Sequence, residues 1–362
     1  MTSSALAVAI DLMHRLALVM IVRDEARSLG RCLESVRPWV DEMLVLDTGS
    51  IDASLDIARS AGARVERFAW RDDFAAARNA ALALSGAAWN LVLDADEWIV
   101  EGGAALAQLR EQRADHLGQI RVVSAFDGAD GSVGEAPSWL TRVLPRGVRY
   151  AGRVHEQPDS PLPRRRLPVV VDHDGYRDAQ KAGKARRNER LLGLALAAAP
   201  DDAYLHYQLG KELELKARFD EAAPRYAQAL AGCDPRAGWR HDLVLRSLFT
   251  LARLGGFETA IALAEAEMPR WPRSPDFFFT LGDVFLAWGA ARPERGAELL
   301  PMIEASWVKA LEIGEQPQLQ DTVRGRGSFL AAHNLAVLHA SLGAEAEAAR
   351  WRERESALRL AG

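Results

Sequence analysis

The sequence predicts an α/β domain with a Rossmann-like, mostly parallel sheet, followed by an all-α domain of paired helices. Three observations carry that prediction. Short apolar runs alternate with helical patterns up to Asp94, strand signals vanish after Arg177, and helix pairs then recur at 30-to-50-residue spacing. Charge divides the chain at a similar place. The first 180 residues hold 21 Lys and Arg against 26 Asp and Glu, whereas the whole chain holds 45 against 50, so the net −5 lies entirely in the first half.

Leu16–Val22 is a continuous apolar run, as expected of a strand buried on both faces. Ser28 is positioned to cap a helix carrying Leu29, Cys32, Leu33 and Val36, which Pro38 ends. Met43–Leu46 reads as a second buried strand, followed by Asp47-Thr48-Gly49-Ser50 and a helix over Ala53–Ala61 that Gly62 closes. A third strand is expected at Arg64–Phe68, a helix at Ala75–Leu84, and a fourth strand at Trp89–Leu93. Further strands are expected at Ile120–Phe126, Trp139–Leu144, Val148–Val154 and Pro168–Val171, with Pro158–Pro168 as a loop.

Composition excludes several classes. At 49% hydrophobic the chain can build cores, and an acidic first half argues against nucleic-acid binding, which needs clustered Lys and Arg. Cys32 and Cys233 stand far apart with no metal or disulfide spacing, which fits a reducing cytoplasm. No apolar run approaches the ~18 residues of a membrane span. Residues 1–14 are expected to be a disordered extension, 15–177 the α/β domain, 178–200 a linker helix and 201–362 the helical domain.

In the helical part, His206-x-x-Leu209-Gly210-x-x-Leu213 aligns with Phe278-x-x-Leu281-Gly282-x-x-Phe285, and Ala222, Tyr226 and Ala229 fill the following helix. Val244, Leu248, Leu251 and Ala260 take the same places in a second unit, and Phe329–Leu358 forms a degenerate fourth. This region resembles tetratricopeptide repeats.

Ligands of an open parallel sheet bind beyond the carboxyl ends of its strands. Arg23-Asp24-Glu25, Asp47-Thr48-Gly49-Ser50 and Asp94-Ala95-Asp96-Glu97 all fall there. In an extended segment Asp94 and Asp96 face one side, and two hard oxygen ligands suit Mg2+ or Mn2+ shared with substrate phosphates. The other reading is a solvated turn.

The run "VRDE", "VDEMLVLDTGSID", "WRDDFAAARNAAL" and "WNLVLDADEW" over Ala17–Trp98 resembles family-2 glycosyltransferases of the GT-A fold, in particular a bacterial subgroup with C-terminal tetratricopeptide repeats. The resemblance implies inverting transfer of a sugar from a nucleoside-diphosphate donor, with UDP expected ahead of GDP or dTDP, assisted by Mn2+ or Mg2+. It implies nucleotide contacts from Asp24, Glu25 and Asp47, a pyrophosphate contact from Arg78, and metal or ribose contacts from Asp94 and Asp96. Arg78 has a rival reading as a surface helix cation paired with Asp73. Where the family has Ser-Thr-Asp, this chain has Ser50-Ile51-Asp52 and loses one hydroxyl. Glu156, in Arg153-Val154-His155-Glu156, falls at the general-base position, and His173 at that of a third metal ligand. Asp174 stands where the subgroup usually has an aromatic.

The repeats are expected to hold a peptide, protein or glycan acceptor, to mediate homodimerisation, or to buttress the enzyme. Arg164–Arg166 and Lys181–Arg190 read mainly as solvated faces. The rival function is a tetratricopeptide adaptor whose first domain binds nucleotide without catalysis.

Overall fold

The computed structural model describes residues 16–127, 133–176, 178–319 and 322–361, so the expected extension lies outside the described residues. The chain divides between Ala195 and Leu196 into two units.

The first unit is built on an eight-stranded sheet. Its parallel half comprises β1 (Leu16–Val22), β2 (Glu42–Asp47), β3 (Arg64–Arg67) and β4 (Trp89–Val92). The remainder comprises β5 (Glu97–Glu101), β6 (Leu117–Asp127), β7 (Val133–Pro145) and β10 (Arg164–Tyr176). β8 (Arg149–Ala151) and β9 (Gln157–Asp159) form a separate antiparallel pair. The order is β3-β2-β1-β4-β7-β6-β10-β5, with β1 parallel to both β2 and β4.

Alternation along β1 explains its unbroken apolar run. Leu16, Leu18, Met20 and Val22 point into one core with Leu29, Cys32, Leu33 and Val36 of α1 (Leu29–Val36). Ala17 and Val19 point into another with Ala81 of α3 (Phe74–Leu84). α2 (Ser54–Ser60) lies between β2 and β3, and Gly62, at φ 78°, turns the chain out of it. The Asp73 side chain caps α3 by accepting from Ala76 N at 2.8 Å.

Four local expectations differ from the structure. Ser28 does not cap α1; its hydroxyl instead donates to Glu25 Oε2 at 3.4 Å. β5 was not anticipated and pairs antiparallel with β10 through contacts such as Asp172 with Trp98. The expected loop at 158–168 contains the end of β9 and the start of β10, where Arg164–Arg166 pair with Leu117–Gln119 before the register shifts. Pro168 falls in that shift, where its missing N–H interrupts no ladder. Gly102 (φ 76°) admits this bend, since a β-carbon there would lie 1.7 Å from Pro168 O. Finally, β8 is shorter than Val148–Val154 because Gly152 (φ 95°) and His155 (φ 51°) turn the chain away.

After α4 (Gly103–Ala107), the next α-helix is α5 (Asp178–Ala198). The second unit then pairs α6 (Ala203–Glu214) with α7 (Phe219–Gly232) and α8 (Arg240–Arg253) with α9 (Phe257–Glu267). It continues with α10 (Pro275–Ala291) on α11 (Gly296–Ile313) and α12 (Phe329–Ser341) on α13 (Glu345–Ala361). The repeated glycines fix these pairings. A β-carbon on Gly210 would lie 2.4 Å from the Tyr226 ring, and one on Gly282 would lie 2.5 Å from the Trp307 indole. Ala222, Tyr226 and Ala229 face inward together, as their spacing predicts.

Asp283 of α10 accepts from Asn334 Nδ2 of α12 at 3.4 Å, and burial pushes its carboxyl up to about 6. A carboxyl raised in the folded state loses stability as pH rises from about 4 to about 6. Asp283→Asn should therefore match the parent below pH 4 and exceed it by about 1–3 kcal/mol above pH 6 in denaturant melts. A difference that does not vary with pH would contradict this.

Candidate functional site

The loops after β1 and β2 are stitched to each other by side chains. Asp24 N donates to Ser50 Oγ at 3.0 Å, Glu25 N to Ser54 Oγ at 2.8 Å, and Ala26 N to Asp52 Oδ2 at 3.0 Å. In return Ile51 N donates to Asp24 Oδ1 at 2.7 Å, with Asp24 at φ 55°. Asp47 is buried, and its two oxygens accept from Gly49 N at 3.2 Å and Ser50 N at 3.0 Å. Asp24, Glu25 and Asp47 are thus brought together as expected of one site. Asp24 and Asp47 spend carboxylate oxygens on backbone N–H groups of the second loop, and Glu25 accepts from the Ser28 hydroxyl, so these side chains fix the loops. Ile51 stands 95% exposed on this rigid turn.

A chain of alternating charges lies beside the carboxyl end of β4. Arg78, on the buried face of α3, donates through Nε to Glu156 Oε1 and through Nη2 to Asp94 Oδ1 at 2.6 Å. Arg142 of β7 donates through Nη2 to Asp94 Oδ2 at 2.8 Å and to Glu97 Oε1. Asp94 N closes the series by donating to Glu97 Oε2 at 3.0 Å. Desolvation opposes ionisation of Asp94, yet the two guanidiniums hold its carboxyl well below the usual range. Burial raises Glu97 despite Arg142, and it pushes the Tyr150 hydroxyl up to about 12. Arg78 is therefore not a surface cation: Asp73 caps the helix, and Arg78 lies between two carboxylates.

Asp96, two residues along the chain from Asp94, lies beside His173. His173 Nε2 lies 3.6 Å from Asp96 Oδ2, and His173 Nδ1 is 3.1 Å from Ser124 Oγ. Burial disfavours protonation of His173, but Asp96, Glu97 and Asp94 outweigh it and raise its pKa. A carboxylate and an imidazole this close can share one divalent cation, with water and phosphate oxygens completing the shell. Among the described residues no group of three or more His, Cys, Asp and Glu side chains is placed to hold a metal. Asp94, expected beside Asp96, instead has both oxygens on arginines.

The Glu156 loop is anchored to α3. Asn79 Nδ2 donates to Tyr150 O at 2.9 Å while Tyr150 N donates to Asn79 Oδ1 at 2.8 Å, so the amide acts like a short strand partner. Phe74 N donates to Arg153 O at 2.9 Å. The motif residues Arg78 and Asn79 thus hold a side chain and a backbone on the same loop.

Sequence reasoning missed Arg142 and assigned no role to Glu97. Arg142 has no motif of its own; the usable signal was an inward-facing cation on a strand adjoining β4. Asp174 is explained by its partners: it takes both Arg27 nitrogens at 2.8 Å and Arg31 Nη2 at 3.1 Å. Arg31 in turn lies 3.4 Å above the Trp98 ring.

Residues 17–150 match the family described as Glycosyl transferase family 2. A TPR repeat-containing protein of Synechococcus elongatus is 34% identical over 77% of this chain and 75% of its own length. The glycosyltransferase SunS of Bacillus subtilis is 27% identical over 69% of this chain, which spans 63% of SunS. Among solved structures, MamA 41-end from Desulfovibrio magneticus RS-1 is 15% identical, with a TM-score of 0.39, covering 50% of this chain and 89% of that one.

Arg78→Met would leave two carboxylates without their shared cation, so denaturant melts should show a loss of about 3–5 kcal/mol. A loss below about 1 kcal/mol, typical of a surface pair, would contradict the buried arrangement.

Proposed function

This chain belongs to glycosyl transferase family 2, joined to helical repeats, and from that premise we propose that it is an inverting, metal-assisted glycosyltransferase using a nucleoside-diphosphate sugar. UDP is the nucleotide we favour. The observation that supports it most is the convergence of Glu156, Arg78, Asp94, Asp96 and His173 beyond the strand ends of a family-2 domain.

In this reading the loops carrying Asp24, Glu25 and Asp47 receive the nucleoside, where the remaining carboxylate lone pairs accept from base N–H and ribose hydroxyls. Asp96 and His173 would hold Mg2+ or Mn2+, which supplies charge stabilisation for the leaving diphosphate. Asp94, turned onto its arginines, organises the site from beneath. An acceptor X–H approaches the anomeric carbon from the face opposite the diphosphate. The X–C bond forms as the C–O bond to the diphosphate breaks, and the proton passes to Glu156. Arg78 fixes Glu156 through Oε1 and leaves Oε2 for that proton. The repeats are the proposed place for a peptide, protein or glycan acceptor or for homodimerisation, and we place the chain in the cytoplasm. No helix among the described residues is long and apolar enough to cross a membrane.

The test is donor hydrolysis and transfer across a nucleotide-sugar panel, read by mass spectrometry with and without chelator. Asp96→Ala and chelation should each lower turnover at least about 100-fold, and Glu156→Gln should do so with donor affinity retained. Full activity in chelator would remove the metal, and full activity in Glu156→Gln would remove the base. A chain that binds nucleotide yet hydrolyses no donor would favour the adaptor.

A further inference from the structure

We propose that Arg142 is a positioning residue for glycosyl transfer, acting through Asp94 and Arg78 on the Glu156 carboxylate; this rests on the proposed function. Three features of the structure carry it. First, Arg142 joins the series at the end opposite Glu156, and one nitrogen, Nη2, serves both Asp94 and Glu97. Without it, Glu97, only 2% exposed, and Asp94 would face each other as like charges joined by the Asp94 N–H. Asp94 would then turn toward Arg78 or toward the cleft.

Second, Arg78 has no third carboxylate among its hydrogen-bond partners in the described residues. Its Nε and Nη2 hold Glu156 and Asp94, and its guanidinium carbon lies 5.5 Å from the buried Tyr150 ring. Any shift of Asp94 therefore moves the group that orients the base.

Third, Arg78 Nη1, Arg142 Nε and the Tyr150 hydroxyl are buried with no hydrogen-bond partner among the described residues. Unsatisfied buried donors cost stability. The network around Asp94 and Glu156 therefore leaves hydrogen-bonding capacity unused while directing Arg78 Nε and Nη2 and Arg142 Nη2 onto carboxylates.

The experiment compares Arg142→Met, Arg142→Lys and the double variant Arg142→Met/Glu97→Gln. Steady-state kinetics on the full chain are combined with Tm and with the solvent-exchange rate of the Arg78 Nε–H signal in NMR. Arg142→Met should lower kcat about 100-fold with donor KM within about two-fold, since misplacement rather than binding is at fault. The Arg78 Nε–H should exchange faster. Arg142→Lys should recover part of kcat, because a single ammonium can stand where Nη2 stands. The double variant removes the unpaired buried charge, so it should regain Tm without regaining kcat. Recovery of kcat together with Tm in the double variant would show that Arg142 only neutralises Glu97, and would overturn the proposal. So would wild-type exchange of Arg78 Nε–H in Arg142→Met. A wild-type chain inert toward every donor would overturn the function itself, leaving the Arg78 signal to decide the coupling.

Discussion

The candidate site depends on one carboxylate held between a buried guanidinium, Arg78, and a half-buried one, Arg142. Asp94 follows a strand buried on both faces and is itself half-buried, and Arg78 and Arg142 reach it from a helix and from a neighbouring strand. Because Arg78 also holds Glu156, the helix, two strands and the loop after β8 are tied at one point. Asn79 adds a backbone clamp one residue along the same helix. This leaves Asp96 and His173 as the acidic and imidazole groups that face each other.

The acidity of the first half takes on a different meaning in this setting. Asp24, Asp47 and Asp52 accept backbone N–H groups in loops that end buried strands, and Asp174 takes up Arg27 and Arg31. These carboxylates serve as local scaffolding because strand ends leave backbone donors unsatisfied. In the proposed function a diphosphate entering such a surface would meet negative charge, which a cation on Asp96 and His173 would offset. The helical unit solves a different problem. Its helix pairs bring small residues against large rings, as at Gly210 with Tyr226, so each pair packs closely.

Much of this was legible in the residue order. The apolar run of β1, the spacing of Leu29, Cys32, Leu33 and Val36, and the matched glycines of the repeats all follow local periodicity. The three acidic clusters could be assigned to one edge because strand direction in a parallel sheet puts successive strand ends together. The loop at 158–168 was misjudged for the same local reason: its prolines mask a strand whose partner lies some fifty residues earlier.

The sequence by itself determined the two-part architecture, the sheet edge that carries the acidic groups, and the identity of Asp96, Glu156 and His173 as residues of interest. The first two follow from short-range pattern, and Glu156 and His173 from the resemblance that the ordered motifs carry. Only the tertiary structure decided what each carboxylate touches. Arg142 stands 48 residues from Asp94, and Arg78 stands 78 residues from Glu156, so no local spacing announces either pair. The side chains meet because β4 and β7 pair antiparallel and α3 lies against β1. Charge pairing inside a core is a matter of distance across the fold, and distance across the fold is what a linear sequence does not express.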